Sequence, residues 1–188
     1  MAGTRVLLQG AKLACSIGGV ISLASVARAT VIVESNRSRF DALVLAWVER
    51  AKNIQDARFE GDKCNQFAVA AYRAAGLTIP DVKRRRLGLD GLARDTPPLA
   101  QELSDGSRYN DLLGPLKPIQ DASLGDIILW NGDGHHHAAI LTRKNGTNPD
   151  YWEVTYAGGK GATIKSNFVV VLTRAEGGTT PFARGPRR

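Results

Sequence analysis

Apolar residues recur at helical spacing in the first third of the chain and alternate with polar ones in the last third, and this change of period divides the molecule. Phe40, Leu43, Val44, Trp47, Val48 and Ala51 follow an i, i+3, i+4, i+7 pattern. Arg39, Asp41, Glu49, Arg50 and Lys52 fall on the other side, so residues 35–53 are predicted to be an amphipathic helix with Ser38 as its N-cap. A polar connection over 51–60 leads to a second periodic run, Phe67, Ala68, Ala71, Tyr72 and Ala75, opened by Gly61-Asp62 and stopped by Gly76. The two helices are expected to pack on each other.

Pro80 ends that region, and 81–118, with four further prolines and a basic run at 83–86, reads as a long irregular excursion. Beyond it the signals are those of strands. Asp126–Trp130, His137–Thr142, Tyr151–Tyr156 and Asn167–Thr173 are rich in β-branched and aromatic residues and are separated by Gly- and Asn-rich turns, which predicts an antiparallel meander. The Gly-, Pro- and Arg-rich segment 175–188 reads as a disordered tail. The pattern as a whole is α+β.

The N-terminus alters what charge and cysteine counts mean. Residues 1–29 contain Arg5, Lys12 and Arg28 but no acid, and a moderately apolar run over 13–26 ends at Ala27-Arg28-Ala29, an A-x-A cleavage pattern. A secretory signal over 1–29 is expected, followed by one domain at 30–174. The run is too short for a membrane span. Cleavage would take Cys15 and three basic residues, leaving Cys64 as the one thiol and a net charge of +4 from +7 (7 − 3). No zinc-finger spacing and no interleaving of basic and aromatic residues accompanies that charge, so nucleic acid is not the expected partner.

Cys64 sits at the start of its predicted helix, where unbonded amides and the helix dipole favour a thiolate. The opposing reading is a small buried apolar side chain. A nucleophile needs a base, and the chain has His135, His136 and His137 in a row. Adjacent strand residues point to opposite faces, so the three cannot converge on one metal, and no C-x-x-C or H-E-x-x-H pattern supplies other ligands. His137, at the start of the apolar strand, is the histidine expected in the site, with His135 and His136 on the turn side.

Asp62-Lys-Cys64-Asn-Gln-Phe67, Gly76–Pro80, Leu124-Gly125-Asp126-Ile-Ile-Leu-Trp130 and His137-Ala-Ala-Ile140, in that order, resemble the NlpC and CHAP cell-wall peptidases of the papain-like superfamily. The likeness covers roughly residues 40–173. Asn65-Gln66 replaces the usual Ser-Gly, closer to the CHAP side or to secreted amidases, and Phe59 is the nearest aromatic where a tyrosine is common. The resemblance implies a papain-like domain with the nucleophile helix packed on an antiparallel sheet, Cys64 as nucleophile and His137 as base. It implies hydrolysis of an amide bond in peptidoglycan stem peptides by a secreted or periplasmic monomer. No cofactor or metal is implied, and an inhibitor protein is the one protein partner it leaves room for. A third, orienting residue is expected on the next strand, where Glu153 and Thr155 share a face; Glu153 is preferred because a carboxylate stabilises an imidazolium. Lys83 and Arg84, with Lys160 and Lys165, are expected to flank a groove for an acidic peptide. Two alternatives stay open: a papain-like hydrolase or acyltransferase acting on another amide or ester, and a non-catalytic cell-wall-binding protein.

Overall fold

A computed structural model of the chain describes residues 23–53, 63–85, 93–132, 134–158, 163–175 and 178–187. Two long helices, α1 (Leu23–Asn53) and α2 (Lys63–Ala74), precede an antiparallel ribbon of β1 (Val82–Arg85) and β2 (Ala93–Thr96) and a short helix α3 (Ala100–Ser104). Then come β3 (Lys117–Pro118), β4 (Ile127–Gly132), β5 (His135–Arg143), β6 (Glu153–Gly158), β7 (Thr163–Phe168), α4 (Val169–Ala175) and β8 (Phe182–Arg184). The strands from β3 onward form one six-stranded antiparallel sheet in the order β3-β8-β4-β5-β6-β7. The class is therefore α+β, as its periodicities predict.

Strand alternation gives the sheet two apolar faces, each with its own cover. On one, Ile127, Leu129, Ala138, Ile140 and Ala157 meet Val44, Val48 and Ala51 of α1 and Phe67, Ala68, Val69, Ala71 and Tyr72 of α2. On the other, Ile128, Trp130, Ala139, Leu141, Trp152, Val154 and Ala183 meet Val169 and Leu172 of α4. Burying a large aliphatic or aromatic side chain in this way stabilises by about 1.5–3 kcal/mol each. The α1 contact positions are those of the predicted stripe, but the helix begins at Leu23, so Ser38 lies inside it and the Ala27-Arg28-Ala29 segment is in its first turns.

The end of α2 follows its sequence signal closely. Gly76 takes φ +97°, its amide bonds the Arg73 carbonyl at 3.0 Å, and the Leu77 amide bonds the Tyr72 carbonyl at 3.0 Å. Those two bonds are a Schellman stop, which glycine adopts without a Cβ penalty. Opposite it, the Tyr72 hydroxyl, fully buried, donates to the carbonyls of Gly125 (3.1 Å) and Arg184 (3.3 Å), fixing α2 to the start of β4 and to β8.

The Gly125-Asp126 pair is where α1 meets the sheet. Gly125 takes φ +84°, and a Cβ there would stand 3.3 Å from the Asp41 Cα. Asp126 is fully buried; its carboxylate pairs with Arg37, takes Lys117 Nζ at 2.7 Å and accepts the Ser123 amide at 2.7 Å. A buried carboxylate left unpaired would cost several kcal/mol, so this cluster ties α1, β3 and β4 into one arrangement.

Three expectations are corrected. The excursion at 81–118 contains the β1–β2 ribbon and α3, because Arg84 of β1 bonds Thr96 Oγ1 at 2.9 Å and pairs with Glu102, clamping the ribbon to α3. The run 167–173 is strand only as far as Phe168, the end of β7: its backbone turns helical at Val169, Val169 and Leu172 face the second core, and the Thr173 hydroxyl bonds the Val169 carbonyl at 3.1 Å. Tertiary burial here outweighs the β preference of three consecutive valines. The segment expected to be a disordered tail supplies β8, a central strand between β3 and β4. Its Arg184 is fully buried and donates to the carbonyls of Gly114 (2.8 Å), Leu103 (2.9 Å), Asp105 (2.8 Å) and Arg108 and to Asn110 Oδ1 (2.9 Å). No helix among the described residues is long and apolar enough to cross a membrane.

Candidate functional site

Cys64 is the second residue of α2 and is half-buried. The first turn of a helix has amides with no intrahelical acceptor, so it offers positive potential where this thiol stands. Asp62, of the Gly61-Asp62 pair expected to open this helix, lies outside the described residues. Asn65 holds the turn in place from the next position: it is buried, and its Nδ2 donates to the Pro98 carbonyl at 2.6 Å, just ahead of α3. Farther along α2, Phe67 packs on Trp47 with ring centroids 5.3 Å apart, and Tyr72 meets Phe40 edge-on at 5.2 Å. So anchored, α2 lies across β5 and β6.

Which histidine faces α2 is decided by the phase of β5. Ala138 and Ile140 belong to the core that α2 covers, and Ala139 and Leu141 to the opposite one. Even-numbered residues of this strand therefore look toward α2. His136 is on the α2 side; His135 and His137 are on the other. The cross-strand pairs agree, since Asn131 stands opposite His136 and Trp130 opposite His137. Trp130 is part of the far core, and its ring stacks on His137 at 5.2 Å with an interplanar angle of 16°. The expectation that His137 shares a face with Cys64 is thus corrected by one residue: the histidine on the α2 face is His136.

Glu153 is not brought to the histidines either. It pairs with Arg143 at the far end of β5, where Arg143 Nη2 donates to its Oε2 at 2.9 Å and Lys52 Nζ of α1 lies 3.9 Å from Oε1. Seven strand positions separate residue 143 from His136, about 23 Å at 3.3 Å per residue. Thr155, the second choice, faces α2 but is paired with Ile140, fully buried, and bonded to Ser166 Oγ (2.8 Å) and Thr142 Oγ1 (3.3 Å). Its hydroxyl is occupied by this ladder. On the α2 face the polar side chain beside His136 is instead Asn131, from the preceding strand; its Oδ1 is buried and accepts no hydrogen bond.

The expected basic flank divides. Lys83 is exposed on β1, opposite Asp95. Arg84 is not available to a substrate, because Glu102, Thr96 Oγ1 and the Pro97 carbonyl take up its guanidinium. Glu102 in turn accepts the Leu99 amide at 2.8 Å and Arg108 Nη1 at 2.8 Å. Burial works against its charge, but that amide and the two guanidiniums prevail and hold its carboxyl below the ordinary glutamate range. Lys165 is exposed on β7, and Lys160 lies outside the described residues.

Two polar residues of the α2 face, His136 and Asn131, were thus passed over in the sequence. The signal that would have found them is the small residue under a helix. Ala138 packs against α2, and the histidine two positions before it shares its face, but Ala139 gives the opposite phase an equally small residue. Among the described residues no group of three or more His, Cys, Asp or Glu side chains is placed to hold a metal ion. A scan against protein-family models, a search of curated proteins and a search of solved structures each found no match to this chain.

Proposed function

We propose that the chain is a papain-like cysteine hydrolase of the NlpC/CHAP kind that cuts an amide bond in peptidoglycan stem peptides outside the cytoplasm, with Cys64 as nucleophile and His136 as base. One observation carries the reading: Cys64 lies in the first turn of a helix laid across β5 and β6, and His136 stands near the start of β5 on that same face. In the reaction the imidazole takes the thiol proton and the thiolate adds to the amide carbonyl. The C–N bond then breaks as the imidazolium protonates the leaving amine, and water, deprotonated by the same ring, releases the acyl group from sulfur. Backbone amides at the start of α2 supply hydrogen bonds to the oxyanion. The substrate class rests on the ordered likeness of the cysteine, Leu124-Gly125-Asp126 and histidine segments to that family.

The test is digestion of purified peptidoglycan with identification of the new termini by mass spectrometry. Wild type releases defined muropeptide ends. Cys64→Ala and His136→Ala each lose about 10⁴-fold or more in turnover, while His137→Ala keeps most of it and chelators have no effect. Full loss in His137→Ala with an active His136→Ala would overturn the assignment of the base, and wild-type activity in Cys64→Ala would overturn the hydrolase reading.

A further inference from the structure

Asn131 is a polar residue that the family likeness does not single out. It lies near the end of β4, directly opposite His136 of β5 and on the face that α2 covers. Side chains of directly opposed antiparallel residues have Cβ atoms about 4.5–5.5 Å apart, so an amide oxygen on one reaches an imidazole N–H on the other by a side-chain rotation. The Asn131 Oδ1 is buried and has no hydrogen-bond donor. Buried acceptors in folded proteins are almost always satisfied, so an orphan beside a histidine calls for a reason. The backbone beneath it is fixed from the other edge of the strand: the Thr179 amide donates to the Asn131 carbonyl at 2.8 Å. On the β6 side both polar candidates are taken, Glu153 by Arg143 and Thr155 by Ser166 and Thr142.

We infer that Asn131 is the positioning residue for His136, its Oδ1 accepting a ring N–H and so holding the imidazole in one tautomer with the other nitrogen turned toward the α2 face. This rests on the reading of His136 as the base of a cysteine hydrolase, and it departs from the expectation that the orienting group follows the histidine strand. The orienting group comes from the strand before it.

The experiment uses the full chain with ¹⁵N-labelled histidine. Long-range ¹H–¹⁵N spectra, with His136 assigned from the His136→Gln variant, show a single tautomer for wild type. Asn131→Leu averages the two ring nitrogens, and Asn131→Asp, which keeps an acceptor in place, restores one tautomer. In the muropeptide assay Asn131→Leu lowers kcat by about tenfold or more with KM little changed, as expected for a group acting through the base. Thermal melts confirm that the variants fold, and Asn131→Ala, which also removes the acceptor but adds no bulk, substitutes for Asn131→Leu should that variant not fold. A His136 spectrum unchanged from wild type in Asn131→Leu, or in Asn131→Ala where that variant stands in for it, would overturn the inference. The locked tautomer seen without any turnover would uphold the Asn131–His136 pair and sink the hydrolase reading instead.

Discussion

Replacing Arg184 should unfold this protein more readily than any surface substitution, although the residue lies four positions from the end of the chain. Its guanidinium donates to four backbone carbonyls and the Asn110 side chain, all between Leu103 and Gly114. This one side chain ties the end of α3 and the loop after it to β8, alongside the Gly114 amide bonded to the Gly185 carbonyl and the Arg187 amide bonded to the Leu112 carbonyl. In Arg184→Leu, water reaches the carbonyls of the exposed stretch around Asp105 and Arg108 and that of half-buried Gly114, while the Leu103 carbonyl is stranded. One stranded acceptor costs about 1–3 kcal/mol, against a total stability of about 5–15 kcal/mol for an ordinary domain. Arg184→Lys should recover little, because a single ammonium cannot span acceptors arrayed around a planar fork. Urea unfolding followed by tryptophan fluorescence measures the change as a fall in midpoint at constant m-value. A shift of under about 0.5 kcal/mol in both variants would refute the reasoning, since that is the range of an unremarkable surface site.

Two further outcomes follow from the ribbon clamp. The Glu102 carboxyl is held below its ordinary range by the Leu99 amide and the Arg84 and Arg108 guanidiniums after burial is overcome, so its contribution is fully present above the unfolded glutamate value and is lost as pH falls through the folded one. Glu102→Gln should therefore lower stability at neutral pH and flatten the stability-versus-pH curve on the acid side; an unchanged acid limb in denaturant titrations would count against it. Arg84→Glu sets a second carboxylate against Glu102 and should lower the melting temperature, whereas Lys83→Glu, exposed and opposite Asp95 alone, should lower it far less. If Lys83→Glu also raises KM for muropeptides in a salt-dependent way, that lysine contributes steering that Arg84 does not.

Periodicity by itself determined the elements whose burial is local in origin. The stripe through Val44, Val48 and Ala51, the stop at Gly76, and the strands around Ile127–Trp130 and Ala138–Leu141 are each set by residues within a few positions of one another, and each is where the pattern puts it. What required the tertiary structure was everything that depends on a distant partner. Three consecutive valines form a helix because Val169 and Leu172 find the second core, and a segment of arginine, glycine and proline becomes a central strand because Arg184 meets carbonyls seventy to eighty-one residues away. The candidate site divides along the same line. Helix position made Cys64 legible, but three adjacent histidines carry no apolar contrast, so only packing against Ala138 on one side and Trp130 on the other fixes which face each takes. Register, with its bulge between Leu141 and Arg143, sends Glu153 to the far end of the strand, and the same register sets Asn131 beside His136. Alternation is visible in a sequence; its phase and its partner are decided only when the strands pair.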